Sequence, residues 1–137
     1  MASPRERSEG QPSLKARRIL VVEDQFLIAL EVQDCLEKAG AEVIGPLGRL
    51  ERALGSAEKD NLDAALLDVD LHGERCWPVA DILAQRAIPF IFATGFATDI
   101  VMPERFAGHT VLSKPYRERD MLAALAKLMT RDCARDQ

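Results

Sequence analysis

Short apolar runs alternate with amphipathic stretches along most of this chain. Ile19-Leu20-Val21-Val22 is β-branched and uninterrupted, the pattern of a strand buried on both faces. Val32, Cys35, Leu36 and Ala39 then recur at helical spacing, with Glu31, Asp34 and Lys38 opposite and Gly40 as a stop. Ala41–Gly45 reads as a second, less apolar strand nearer an edge, followed by a helix marked by Leu47, Leu50, Leu54 and Ala57. Ala64–Leu67 is a third strand, and Pro78 near a helix start precedes Val79, Ile82, Leu83 and Arg86. Phe90–Ala93 is a fourth strand, with a weak helical stretch over Thr98–Met102. His109–Leu112 is a fifth strand, and Met121, Leu122, Leu125, Leu128 and Met129 line a last helix. Strands alternating with helices predict an α/β fold, (βα)5, in which a doubly wound five-stranded parallel sheet is covered on both faces.

Composition narrows the setting. The chain has 137 residues, 47% hydrophobic and 29% charged, which fits one globular domain. Its longest apolar stretch, Ala87–Ala93, contains Pro89 and is far shorter than the ~20 residues of a membrane helix. Met1–Arg18 has no apolar core to act as a secretory signal. Three cysteines, Cys35, Cys76 and Cys133, show no spacing for a disulfide framework or zinc site. A cytoplasmic setting is therefore expected. The net charge of −4 is uneven: Arg5, Arg7, Lys15, Arg17 and Arg18 against Glu6 and Glu9 give the first 18 residues +3 and leave −7 on the rest. An acidic body argues against DNA binding. Residues 1–16 read as a disordered basic tail, 17–130 as the folded domain and 131–137 as a C-terminal tail.

Functional groups of such sheets gather at the carboxyl ends of the strands. Here those ends read Glu23-Asp24, Asp68, Thr94-Gly95 and Lys114-Pro115. Three carboxylates meeting in one crevice repel one another and need a cation, and hard oxygens suit Mg²⁺. The set fits phosphoryl transfer onto a carboxylate. Asp68 would be the acceptor, Glu23 and Asp24 would hold Mg²⁺, and Lys114 and Thr94 would bind the equatorial oxygens. Each residue alone could be a helix cap or a surface group. Four strand ends carrying this chemistry in chain order is a much more specific pattern.

On these residues the sequence resembles the receiver domains of two-component response regulators. The matching segments are Arg18–Asp24, Leu66–Leu71, Ala93-Thr94-Gly95 and Ser113-Lys114-Pro115, and the likeness covers about residues 17 to 130. It implies the CheY-like, flavodoxin-like receiver fold. It implies that Asp68 accepts a phosphoryl group from a histidine kinase or histidine phosphotransfer protein. It also implies that the Asp70 backbone carbonyl joins Glu23, Asp24 and Asp68 around Mg²⁺, and that Lys114 precedes a cis proline. The run Pro89–Phe96 further resembles the FATGUY group of single-domain receivers of alphaproteobacteria, which is associated with HWE/HisKA2-type kinases.

The pattern departs from the family in two places. Most receivers carry an aromatic residue three positions before the lysine; here it is Val111, so the usual threonine–aromatic switch is missing. Phe92, Phe96 and Tyr116 are nearby aromatic candidates, although aromatics mainly pack. His72 stands where many receivers have proline. Cys35 and Cys76 are expected on helices as small apolar groups.

Among other classes, a haloacid-dehalogenase-type phosphohydrolase would place its nucleophile on the first strand and its acidic pair last, the reverse of the order here. A Rossmann nucleotide site would need a Gly-rich first turn rather than Glu23–Phe26. A receiver that binds partners without phosphorylation is the remaining alternative. The resemblance thus implies a phosphoacceptor signalling domain rather than an enzyme, with self-dephosphorylation as its own chemistry. Only Thr130–Gln137 follow the last helix, so output is expected through contact with a downstream protein, as a phosphate shuttle or sink. Either a monomer or a phosphorylation-dependent dimer fits.

Overall fold

The computed structural model describes residues 13–95 and 101–135, the side chains of 131–135 excepted. Its elements are β1 (Arg18–Val22), α1 (Phe26–Lys38), β2 (Glu42–Leu47), α2 (Leu50–Lys59), β3 (Ala64–Asp68), α3 (Trp77–Gln85), β4 (Phe90–Thr94), β5 (Val111–Ser113) and α4 (Glu118–Arg135). A two-stranded antiparallel ribbon, Asp70–Leu71 with Glu74–Arg75, interrupts the path from β3 to α3, and a 3-10 turn spans Glu104–Phe106. The five main strands form one parallel sheet in the order β2-β1-β3-β4-β5. This is the doubly wound, flavodoxin-like arrangement predicted above, with β2 at an edge.

Strand alternation divides the core into two layers. Leu20, Val22, Ala65, Leu67, Phe90 and Phe92 face α2 and α3. Ile19, Val21, Ala64, Leu66, Ile91 and Ala93 face α1 and α4. Because both faces are covered, the central strands are apolar throughout, which explains the unbroken runs in the sequence. Four aromatic rings, Trp77, Phe90, Phe92 and Phe106, fill the first layer with edge-to-face and tilted contacts of 5.3–6.0 Å. Phe92 is one of these packed rings, and Phe96 lies outside the described residues.

Several boundaries differ from the sequence reading. Leu47 belongs to β2, where it pairs with Val22 beyond a register irregularity, and α2 begins only after Arg49, whose backbone is extended. Cys76 lies just before α3 rather than within it, its N–H donating to Val69 O at 3.0 Å. Arg86 lies just past α3, and its guanidinium donates to Ala57 O at the end of α2. His109 is not in β5: its ring stacks on Phe90 at 4.6 Å and its N–H bonds Phe106 O, which holds it in the preceding turn. Of the helical stretch expected at Thr98–Met102, residues 98–100 lie outside the described residues and Val101 and Met102 are not helical.

Leu14 is 1% exposed, although it precedes the expected domain start at residue 17. Its N–H donates to Ala39 O and that of Ala16 to Gly40 O, so this segment seals the end of α1. Gly40 makes the contact possible. Its φ is +98°, and a Cβ there would lie 2.9 Å from Lys15 Cα. No helix among the described residues is long and apolar enough to cross a membrane.

Candidate functional site

Strand register places the polar strand ends side by side. Val22 pairs with Leu67, Asp68 with Ala93, and Thr94 with Ser113, so Glu23, Asp68, Thr94 and Lys114 all emerge at one end of the sheet. The Lys114 N–H donates to Thr94 O at 2.8 Å, which extends the ladder one residue past β5. The peptide bond that follows, Lys114-Pro115, is cis.

The side chains then converge. Glu23, Asp68 and Thr94 are buried, and Asp24 is largely so. Glu23, Asp24 and Asp68 can each offer a carboxylate oxygen such that all three lie within 4.8 Å of one another. The Lys114 ammonium lies between two of them, 2.8 Å from Glu23 Oε1 and 3.1 Å from Asp68 Oδ2. Asp68 Oδ1 accepts the Asp70 N–H at 3.3 Å, and Glu23 Oε2 accepts that of Gln25 at 3.1 Å.

The electrostatics follow from this crowding. Burial, reinforced by the charge of Glu23, pushes the Asp68 carboxyl up to about 8, with Lys114 pulling the other way. Burial also works against the Lys114 ammonium. Its hydrogen bond to Glu23 and the charge of Asp68 outweigh that and hold its pKa above the ordinary lysine value. One ammonium therefore serves two buried carboxylates, and the Asp24 carboxylate stands beside them. The donor set of hard, closely grouped oxygens with excess negative charge fits a divalent cation of the Mg²⁺ kind.

The ribbon after β3 completes the rim. Its two-residue loop, His72-Gly73, has φ of +50° and +89°, the conformation of a tight hairpin turn. This turn brings the His72 N–H to Asp24 Oδ2 at 2.9 Å, with His72 Nδ1 at 3.6 Å from the same oxygen. His72 thus orients Asp24 through its backbone, a role the sequence did not reveal. The Asp70 carboxylate turns back to the Gly73 N–H and to Arg75. Arg75 was also missed by the sequence reading; the signal was present in Gly73, which marks the turn that folds residue 75 back beside residue 70.

Asp24, Asp68, Asp70, Arg75, Thr94 and Lys114 border an open cleft of about 470 Å³. An acceptor carboxylate, a cation-binding set and an ammonium on one wall of an open cleft can receive a small anionic group. Glu23, Asp24, Asp68, Asp70, Thr94 and Lys114 thus lie together at one end of the sheet, Asp70 contributing its N–H among the observed contacts. Val111 is partly exposed on β5 and takes no part in the cluster.

Comparison with known proteins agrees with this geometry. Residues 19–126 match the family model of the response regulator receiver domain. The transcriptional regulatory protein PdtaR of Mycobacterium tuberculosis is 29% identical over 118 residues, 84% of this chain but 58% of PdtaR. The response regulator PhyR from Brucella abortus has a crystal structure similar at TM-score 0.81 and 26% identity, covering 96% of this chain and 54% of PhyR. The chain thus spans a little over half the length of these two. The solution structure of SdrG from Sphingomonas melonis Fr1 is similar at TM-score 0.73 and 43% identity, covering 83% of this chain and 97% of SdrG. A second solution structure of SdrG, in a BeF3-activated conformation, is similar at TM-score 0.67 and 41% identity, covering 82% and 98%.

Proposed function

The chain belongs to the response regulator receiver domain family, and from that premise we propose that Asp68 is its phosphoacceptor, loaded from a phosphohistidine of a histidine kinase or phosphotransfer protein. The observation that carries this reading is the Lys114 ammonium bridging Glu23 and Asp68 inside the carboxylate cluster at the floor of an open cleft. An Asp68 oxygen forms the new O–P bond while the bond from phosphorus to the donor nitrogen breaks, and the electron pair leaves with the imidazole. Asp68 must be ionised to attack, and burial opposes that. Lys114 offsets part of the opposition and is placed to follow the charge onto the phosphoryl oxygens. Thr94, which lines the same cleft at the neighbouring strand end, would donate its hydroxyl to an equatorial oxygen.

Mg²⁺ would be held by Glu23, Asp24 and Asp68 with the Asp70 carbonyl. When bound, it screens the negative charges of acceptor and donor. The BeF3-activated form of SdrG supports activation by a phosphoryl-like group in a protein 41% identical to this chain. SdrG, matched almost from end to end, is a protein of receiver size to which this chain is similar.

The donor would approach over α1. Gln25 and Ile28 line the cleft, while Phe26, Leu27 and Leu30 are exposed apolar residues on the outer side of the same helix. Such a patch suits a helical protein partner better than a small molecule. The proposed role is a cytoplasmic shuttle or sink that signals by protein contact and clears its own phosphoryl group by hydrolysis. Its donor would be an HWE/HisKA2-type kinase or a phosphotransfer protein, and it would act as a monomer or a phosphorylation-dependent dimer.

The test uses acetyl phosphate with and without Mg²⁺, read by intact mass. One phosphoryl group is expected on the wild type with Mg²⁺ and none on Asp68→Asn. No phosphoryl group on the wild type would instead make this a receiver that binds partners without phosphorylation.

A further inference from the structure

The Tyr116 hydroxyl is buried and has no hydrogen-bond partner among the described residues. Leaving such a group unsatisfied costs about 1–3 kcal/mol, and folded proteins seldom do so. The ring follows the Lys114-Pro115 bond and lies beside a partly open pocket of about 90 Å³ between α1 and the start of α4. Ile28, Val32 and Met121 give this cavity apolar walls, and Glu31 and Glu118 stand at it as exposed carboxylates. Neither glutamate has an ion-pair partner among the described residues. The lining ammonium, Lys114, is engaged by Glu23 and Asp68. Burial first, then the charges of Glu23 and Asp68, hold the Tyr116 pKa above the ordinary tyrosine value, so the surrounding potential is negative.

The geometry points to a receiving pocket for a lysine or arginine side chain of the protein that docks beside Asp68. A basic side chain can lay its methylenes along apolar walls and keep its charged head at a polar rim. Here the walls are Ile28, Val32 and Met121, the rim is Glu31 and Glu118, and the Tyr116 oxygen accepts a hydrogen bond from the head. The volume is roughly that of three waters, enough for an ammonium or guanidinium with its last methylenes. An acidic or neutral side chain would leave both carboxylates uncompensated. The pocket adjoins the proposed docking surface: Leu27 and Glu31 are one turn apart on α1, and Ile28, Lys114 and Pro115 line both this cavity and the acceptor cleft.

This inference rests on the reading that a protein docks next to the acceptor, and the experiment separates the two. Amide NMR of the intact chain is followed while Nα-acetyl-lysine amide is added, with Nα-acetyl-glutamine amide as the neutral probe and KCl to match ionic strength. Saturable shifts are expected at Ile28, Tyr116, Glu118 and Met121 with the lysine probe alone. Glu31→Gln, on an exposed helix position that leaves the fold intact, and the Glu31→Gln/Glu118→Gln pair should weaken binding stepwise. The pair should lose about three-fold or more, the size that exposed ion pairs are worth. Tyr116→Phe should weaken it as well. Equal shifts from the glutamine probe, or shifts unchanged in the double variant, overturn the pocket. Acetyl phosphate labelling of the same samples reports on Asp68 independently, so a labelled chain that does not discriminate the probes refutes the pocket alone.

Discussion

Phe92 and Asp68 lie on neighbouring strands, 0% and 4% exposed, and burial acts on them in opposite directions. Phe92 is surrounded by Trp77, Phe90 and Phe106, so removing it from water is favourable and specific. Asp68 reaches the same dryness beside Glu23, so burial and repulsion raise its pKa and oppose its charge. The sheet interior stabilises the fold, and the strand ends use part of that stability to hold a carboxylate poised for reaction. The two regions are one or two residues apart along the chain, which shows how abruptly a strand can pass from structural to chemical duty.

That contrast can be broken by experiment. The largest expected effect is in the interior: Phe92→Ala should lower stability by about 3–5 kcal/mol, measured by urea unfolding. A loss below about 1 kcal/mol would show that the aromatic layer closes over the gap and does not anchor the sheet.

At the strand ends the sign should reverse. In metal-free buffer, Asp68→Asn should stabilise the protein. An unfolded Asp68 ionises near 3.8 and the folded one at about 8, so between those values the folded state holds a proton that the unfolded state lacks. Wild-type stability from this group is therefore lost as pH rises through that window. The gap in favour of the variant should open from about pH 4 and widen steadily toward about pH 8. A gap that stays constant with pH would mean that Lys114 already cancels the repulsion. The smallest effect is expected at the surface. Arg105 pairs with Asp81 and lies over the Phe106 ring, but it is solvent-exposed. Arg105→Ala should barely move the unfolding midpoint, and even that difference should vanish at about 1 M salt.

The strands were legible because both-face burial demands unbroken apolar runs, as in Ile19–Val22 and Phe90–Ala93. The site was legible for a related reason: a carboxylate at the end of such a run has few structural explanations, and two such ends followed in order by Thr94-Gly95 and Lys114-Pro115 have fewer. Element limits set by long-range contacts were harder. His109 has the composition of a strand residue, yet stacking on Phe90 keeps it in a turn. Leu14 sits in a polar segment, and its burial depends on the apolar layer under α1 and α4 and on its N–H bond to Ala39 O.

By itself the sequence determined the alternation of elements, the receiver-type motifs and the gathering of Glu23, Asp24, Asp68, Thr94 and Lys114 at strand ends, because periodicity and strand polarity are local properties. Only the tertiary structure decided how those groups share charge. Lys114 bridges Glu23 and Asp68 across 91 and 46 residues of chain. The His72 amide reaches Asp24, and Tyr116 lies over a cavity between two helices. Distances between residues far apart in sequence depend on how helices pack on the sheet, and no local pattern encodes them.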